Sequence, residues 1–274
     1  MRDVPADPDV AACLRSIREL SERLAQDIAE LSPATWEGPT NCPPWRVRDL
    51  AVHLVTSGEG FVASIRNGLA GSTAPPAAEG RERRHAELNA AGPHAVAAAL
   101  RAVTETFERL YAGLPEQQLA SICFHRRGNR SVRWYAAHRL AEVAFHGWDL
   151  WTSCGRAPRL DDEVAMLLLP TLLESNVPRT YAAGQSAERG RGERFQLTVR
   201  DDPSAAWQVT IEPDQLTSRR GSGQADLTIV APPAALALLV YGRADLHGLV
   251  NAGVARLEGE AALVDRFALI FPRP

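Results

Sequence analysis

The hydrophobic period of this chain changes once along its length, and that change limits what the chain can fold into. Before residue 184 apolar residues recur at threes and fours, and after residue 192 they alternate at period two. A repeat of threes and fours stacks apolar side chains on one face of a helix, whereas alternation puts them on one face of a strand. The order of the two patterns predicts a helical domain over residues 1–183 and a small α+β domain over residues 193–274. Gly184 to Gly192, rich in Gly and Arg, reads as a flexible joint between them. A length of 274 residues exceeds one ordinary domain and agrees with two.

Five helices are predicted in the first part. Val10, Leu14, Ile17, Leu20, Leu24, Ile28 and Leu31 form one apolar face between Pro8 and Ser32. A loop ending Asn41-Cys42-Pro43-Pro44-Trp45 leads into a second helix to about Arg66, with Asp49 favourably placed in its first turn. Gly68 to Ala91 reads as a long mobile connection, and Pro93 opens a third helix through Val96, Leu100, Val103, Phe107 and Leu110. Ser121 to Phe124 reads as a short extended piece, and Ser131 as the N-cap of a fourth helix to about Trp151. A fifth runs from Leu160 to Val177, ending near Pro178. Helices in that number pack naturally as a bundle. Strands follow at 195–199, 207–211 and 225–230, with short helices at 233–241 and 263–269.

Several function classes drop out on composition. A net charge of -3 does not suit a protein built to neutralise phosphates, so no nucleic-acid partner is expected. The run Arg81-Glu82-Arg83-Arg84 lies between Glu79 and Glu87 without an interleaved aromatic, and reads as a solvated loop. The longest apolar stretch, Val164 to Leu169, falls far short of the roughly 20 residues that span a bilayer. Four cysteines without a CxxC pair, and a charged start without an apolar core, point to the cytoplasm. Cys42 and Cys123 read as buried, inert thiols. Gly221 to Asp226 is a hairpin turn and not a dinucleotide loop, because it lacks the third glycine and runs into a strand.

The chemistry lies on the fourth helix. Glu142 and His146 are four apart, so both project from one face about one turn from each other. The same spacing occurs more often as a surface pair, but Val143, Ala144 and Phe145 make this helix apolar and Glu142 hard to bury alone. Zinc takes such N and O donors, and a catalytic site needs three with one position open. His138 and His53 compete for the third place. Residues 138, 142 and 146 span two turns, about 12 Å of rise, too much for both ends to share an ion comfortably. His53 comes from a different helix, and geometry prefers it. As partners behind the ligands, Asp49 and Asp149 are placed to accept ring N–H groups of His53 and His146, and Arg139 to hold the free oxygen of Glu142. Asp49 reads equally as a first-turn partner of the helix dipole, and Arg139 and Asp149 as surface charges.

The segment Trp45-Arg46-Val47-Arg48-Asp49-Leu50-Ala51-Val52-His53-Leu54, with Arg139, Glu142, His146, Trp148 and Asp149, resembles the mycothiol-dependent maleylpyruvate isomerase family. Ala225 to Ala231, Leu236 to Leu239 and Gly242-Arg243 are similar to the sterol-carrier-like domain its members append. The resemblance implies a DinB-like up-down helical bundle followed by a small α+β domain. Its metal triad falls on His53, Glu142 and His146. It implies a divalent metal, zinc by preference, with mycothiol as cosubstrate, and a transferase or isomerase acting on a small-molecule electrophile. In the isomerases thiolate adds to a cis double bond, the bond rotates, and elimination returns the thiol with a trans product. Arg243 is the residue expected to meet a carboxylated substrate. The reading of another class is a metal-stabilised, non-catalytic module that binds a lipid or a protein.

Overall fold

The structure, a computed structural model, describes residues 8–77 and 79–271. The chain divides into two compact units, Asp7–Leu160 and a second that begins at Asp161.

The first unit is built on four long helices: α1 (Val10–Ala29), α3 (Val47–Leu69), α5 (Pro93–Tyr111) and α7 (Val132–Ser153). Short turns α2 (Pro33–Trp36) and α6 (Glu116–Leu119) lie between them, with α4 (Arg81–Ala91) and a two-stranded hairpin, β1 (Ile122–Cys123) and β2 (Arg130–Ser131). Asp9 caps α1 by accepting from Ala12 N at 2.9 Å, and Ser131 caps α7 by accepting from Trp134 N at 3.2 Å. Helices α1 and α3 each pack on both α5 and α7. Leu20, Leu24 and Ile28 meet Leu50, Leu54, Leu100, Phe107 and Leu140 in a core without solvent. Helix α7 is buried over most of its circumference, as an apolar helix at the centre of a bundle must be. Its few polar side chains therefore have to find partners inside the unit.

The connection expected over Gly68 to Ala91, with a solvated loop at 81–84, instead contains the helix α4. Its Arg84 forks onto Glu59 of α3, with Nη2 at 2.8 Å and Nε at 3.0 Å from one carboxylate oxygen. The pairing spans 25 residues, and no local pattern announces it.

The second unit carries a five-stranded sheet of β3 (Glu193–Val199), β4 (Asp202–Ile211), β5 (Leu216–Arg220), β6 (Leu227–Ala231) and β7 (Arg256–Gly259) in the order β5-β4-β3-β6-β7. Strands β3 and β6 are parallel and the other neighbours antiparallel, with Leu197 between Trp207 and Ile229. The unit also holds α8 (Asp162–Thr171), a π turn (Leu172–Asn176), α9 (Val177–Ala182), α10 (Pro233–Val240), α11 (Leu246–Asn251) and α12 (Ala262–Ile270). No helix of the described residues is long and apolar enough to cross a membrane.

The fifth helix, expected in the bundle, belongs to this second unit. Helix α8 packs on α10, and Ala234 N donates to Asp162 Oδ1 at 2.9 Å. Trp207 Nε1 donates to Glu174 Oε1 at 2.9 Å, and Tyr181 Oη to the Glu212 carbonyl at 2.7 Å. The helical path widens into the π turn after Pro170 and continues through Pro178, so neither proline ends it. The stretch expected as a flexible joint is also built in. Gly190 N donates to Tyr181 Oη at 2.7 Å, and a Cβ at Gly190 would lie 2.1 Å from the Ile211 carbonyl oxygen. Arg266 on α12 ion-pairs with both Glu188 and Glu193. The division therefore falls at 160/161 and not between 183 and 193.

Two glycines of α3 make opposite predictions. A Cβ at Gly68 would stand 2.3 Å from Cys123 Sγ and 2.9 Å from the Ile122 carbonyl, whereas at Gly60 it would meet nothing within 4 Å. Gly68→Ala should destabilise the first unit by about 1–3 kcal/mol through overpacking. Gly60→Ala should stabilise it by about 0.5–1 kcal/mol, the ordinary helical gain. Denaturant unfolding of both variants measures the two signs.

Candidate metal centre

Helices α3 and α7 pack side by side, and each contributes to one cluster at their seam. Glu142 and His146 project from α7 one turn apart. His53 reaches them from α3, where its Nε2 lies 3.1 Å from Glu142 Oε2. His146 Nε2 is 3.8 Å from the same oxygen. A donor atom from each of these three residues lies within 4.8 Å of the other two. Two imidazole nitrogens and one carboxylate oxygen converging in this way match zinc, which binds such atoms at about 2.0–2.2 Å. The donor set thus fits a small divalent ion with three protein ligands and an open position.

The local field agrees with the donor set. Burial pushes the Glu142 carboxyl up, but the His53 hydrogen bond and the charges of His146, His138 and His53 outweigh it. The group is held well below the usual carboxylate range. Trp45, just before α3, covers one side, with its ring centroid 4.7 Å from that of His53 and 6.0 Å from that of His146. The two histidine rings meet edge-on, 4.9 Å apart and at 86°.

The residues expected behind the ligands divide. Asp149 meets His146, with Nδ1 3.2 Å from Oδ2, and its side chain is only 3% exposed. Asp49 turns the other way: its Oδ2 accepts from Arg46 N at 2.9 Å, reaching back to the residue that precedes α3. Its role is in the first turn of the helix and not behind His53. Arg139 is fully buried, yet it does not hold Glu142. Its Nη1 donates to the Leu54 carbonyl at 2.8 Å and Ser57 Oγ at 3.3 Å, which ties α7 to α3 one turn from the cluster. Desolvation lowers its pKa to about 10. His138, the competing ligand, lies 3.9 Å from Glu142 Oε1 and stacks on Trp134 with centroids 4.3 Å apart.

Two further positions need separate mention. Arg243 lies in the second unit, where it lines a cavity of about 280 Å³ with Leu239, Leu246, Phe267 and Phe271. Its Nη1 donates to the Tyr241 carbonyl at 2.8 Å and its guanidinium packs over the Tyr241 ring. Cys42, expected to be buried and inert, is only half-buried, and its Sγ donates to Asp149 Oδ2 at 3.3 Å. Its distance of 107 residues from Asp149 hides that contact from any spacing argument. The one sequence cue is its place in the proline-rich loop that leads to His53. Cys123 is buried, and desolvation pushes its thiol up to about 11, as an inert thiol requires.

Comparison with known proteins follows the same division. Residues 17–151 match the sequence model described as the mycothiol maleylpyruvate isomerase N-terminal domain, and residues 171–272 that of the SCP-2 sterol transfer family. Among solved structures, the mycothiol-dependent maleylpyruvate isomerase aligns at a TM-score of 0.60 with 15% identity, covering 87% of this chain and 91% of that one. A histidine-to-alanine mutant of a protein of that name aligns at 0.62 with 15% identity, covering 93% and 95%. At such identity the likeness is one of fold. No curated protein matches the sequence.

The depressed Glu142 carboxyl has a consequence for the metal-free protein. It contributes stability that is fully present above the unfolded value of 4.5 and is lost as pH falls toward its lower folded value. With a chelator present, wild type should lose stability between about pH 6 and about pH 3, and Glu142→Gln should lose less over the same interval. Denaturant titrations at the two pH values check this.

Proposed function

Since residues 17–151 belong to the mycothiol maleylpyruvate isomerase N-terminal domain family and residues 171–272 to the SCP-2 sterol transfer family, we propose that this enzyme activates mycothiol, or a similar low-molecular-weight thiol, for S-transfer to an electrophilic substrate. The observation that carries the reading is the convergence of His53, Glu142 and His146 within 4.8 Å, with the carboxylate ionised. A divalent metal held there, zinc by its donor set, supplies the positive charge that brings a thiol pKa below its free value of about 8.5.

The chain's own residues do the rest. His53 and His146 present Nε2 toward Glu142, and Asp149 accepts a hydrogen bond from the Nδ1–H of His146, which keeps Nε2 free to ligate. Trp45 shields one side of the cluster from water. Arg139 pins α3 to α7 beside it. Arg243 is the residue proposed to meet a substrate carboxylate. The likeness in fold to the mycothiol-dependent maleylpyruvate isomerase favours a second reading of the same site, cis–trans isomerisation of maleylpyruvate by reversible thiol addition. Both readings use a small electrophile and a small thiol. The free thiols Cys13, Cys42, Cys123 and Cys154 support a reducing, cytoplasmic setting.

The purified protein should carry about one divalent ion per chain, and loss of any one of the three ligands should remove most of the affinity. Elemental analysis of His53→Ala, Glu142→Ala and His146→Ala tests this, and full occupancy in His53→Ala would reject the triad in favour of His138. Turnover should also require both thiol and metal. A chelated protein as active as the loaded one, with thiol present, would refute the mechanism.

A further inference from the structure

One group beside the metal centre has no part in the reading above. Cys42 Sγ donates to Asp149 Oδ2 at 3.3 Å, and His146 Nδ1 lies 3.2 Å from that same oxygen. Thiol and imidazole therefore converge on one oxygen of a nearly inaccessible carboxylate. The loop that carries the thiol is tightly built. Thr40 Oγ1 accepts from Cys42 N at 3.0 Å and donates to the Trp45 carbonyl at 2.7 Å, while Trp45 N donates to the Cys42 carbonyl at 2.9 Å. Asn41 N donates to Ser153 Oγ at 3.3 Å, and Ser153 Oγ donates to the Asp149 carbonyl at 2.7 Å. The loop is thus fastened to α7 through both the backbone and the side chain of Asp149. Through Trp45 it also packs on His53.

A histidine that binds a metal through Nε2 must keep its proton on Nδ1, and the group accepting that proton fixes both tautomer and ring angle. The last side-chain torsion of a carboxylate is broad, and a second donor on the same oxygen adds a restraint on its rotation. We propose that Cys42 is a positioning residue for the metal centre: its thiol locks the Asp149 carboxylate, and Asp149 in turn holds His146 with Nε2 toward Glu142. The inference rests on the metal reading above. The rival role is direct ligation, because donor atoms of Cys42, His146 and Asp149 also lie within 4.8 Å of one another. An ion seated there would draw on His146 Nδ1 and break the Asp149 hydrogen bond that the geometry displays.

The experiment compares cobalt(II) and zinc affinities, by competition with a chromophoric chelator, in wild type, Cys42→Ala, Cys42→Ser, Asp149→Asn and the Cys42→Ala/Asp149→Asn double variant. Cys42→Ala should weaken binding about 3- to 10-fold, below the 10- to 100-fold typical of a carboxylate that touches the ligand itself. Cys42→Ser keeps a donor and should stay within about 2-fold of wild type. In the Asp149→Asn background the cysteine change should add little, since the proposed effect of the thiol passes through that carboxylate. The cobalt spectrum of wild type should lack a thiolate-to-metal charge-transfer band. Equal affinities in wild type and Cys42→Ala, or a serine variant as weak as the alanine one, would overturn the proposal. So would a thiolate band in wild type, which would make Cys42 a ligand. Thermal unfolding of the metal-free variants separates any general loss of structure from these effects. Wild type that binds no metal would remove the metal reading itself, whereas binding indifferent to Cys42 would remove only this inference.

Discussion

A carboxylate largely withdrawn from water at the seam of two helices governs the first unit. Removing an ionised group from water costs several kcal/mol unless partners replace the lost hydration. Glu142 sits on α7, the helix most enclosed by its neighbours, and its compensation comes from His53 on α3 and from His138 and His146 along α7. Arg139, three residues earlier, adds a cation at the same seam while spending its hydrogen bonds on α3. Gly58 makes room for it, since a Cβ there would lie 3.0 Å from the guanidinium carbon. The packing of α3 on α7 is thus decided by polar matching as much as by apolar area. The same matching leaves three ligand atoms facing one point.

The loop before α3 extends this logic outward. Its backbone is closed by Thr40, and two of its side chains reach the histidines, the Trp45 indole directly against both rings and the Cys42 thiol through Asp149. A short segment from outside the helices therefore governs the orientation of ligands on two of them. In the second unit, by contrast, the polar contacts fasten helices to strands: Glu174 with Trp207, Tyr181 with Glu212, Glu193 with Arg266.

What could be read in the sequence follows from how far each constraint acts. The i,i+4 pair Glu142 and His146 was legible because a helix fixes that relation by itself, and His53 because the 12 Å argument against His138 is also helical geometry. The Asp149–His146 contact is likewise local. Asp49 and Arg139 were not resolved, since each had two partners within reach and tertiary packing chose between them. Asp49 found the nearer backbone donor of Arg46, and Arg139 found a carbonyl across the seam. Helix α4 was missed because its register is charged rather than apolar, and its anchor, Glu59, lies on another helix. Strands β3 and β4 announced themselves by alternation, whereas β5 and β7, at the sheet edges and largely exposed, did not. Periodicity also shows that 162–182 is helical without saying which core it joins.

That last point bears on how such a chain can be recombined. A gene fusion that joined a foreign partner after residue 183, at the glycines, would sever α8 from α10 and α9 from β5. It would strand Leu168, Leu172 and Tyr181, all fully buried, at the end of a bundle with no cavity shaped for them. A junction at residue 160 moves each apolar surface together with its mate. The unit of inheritance is set by where side chains bury and not by where the backbone looks pliable, so the glycine-rich segment is an internal seam of one module, not the hyphen between two.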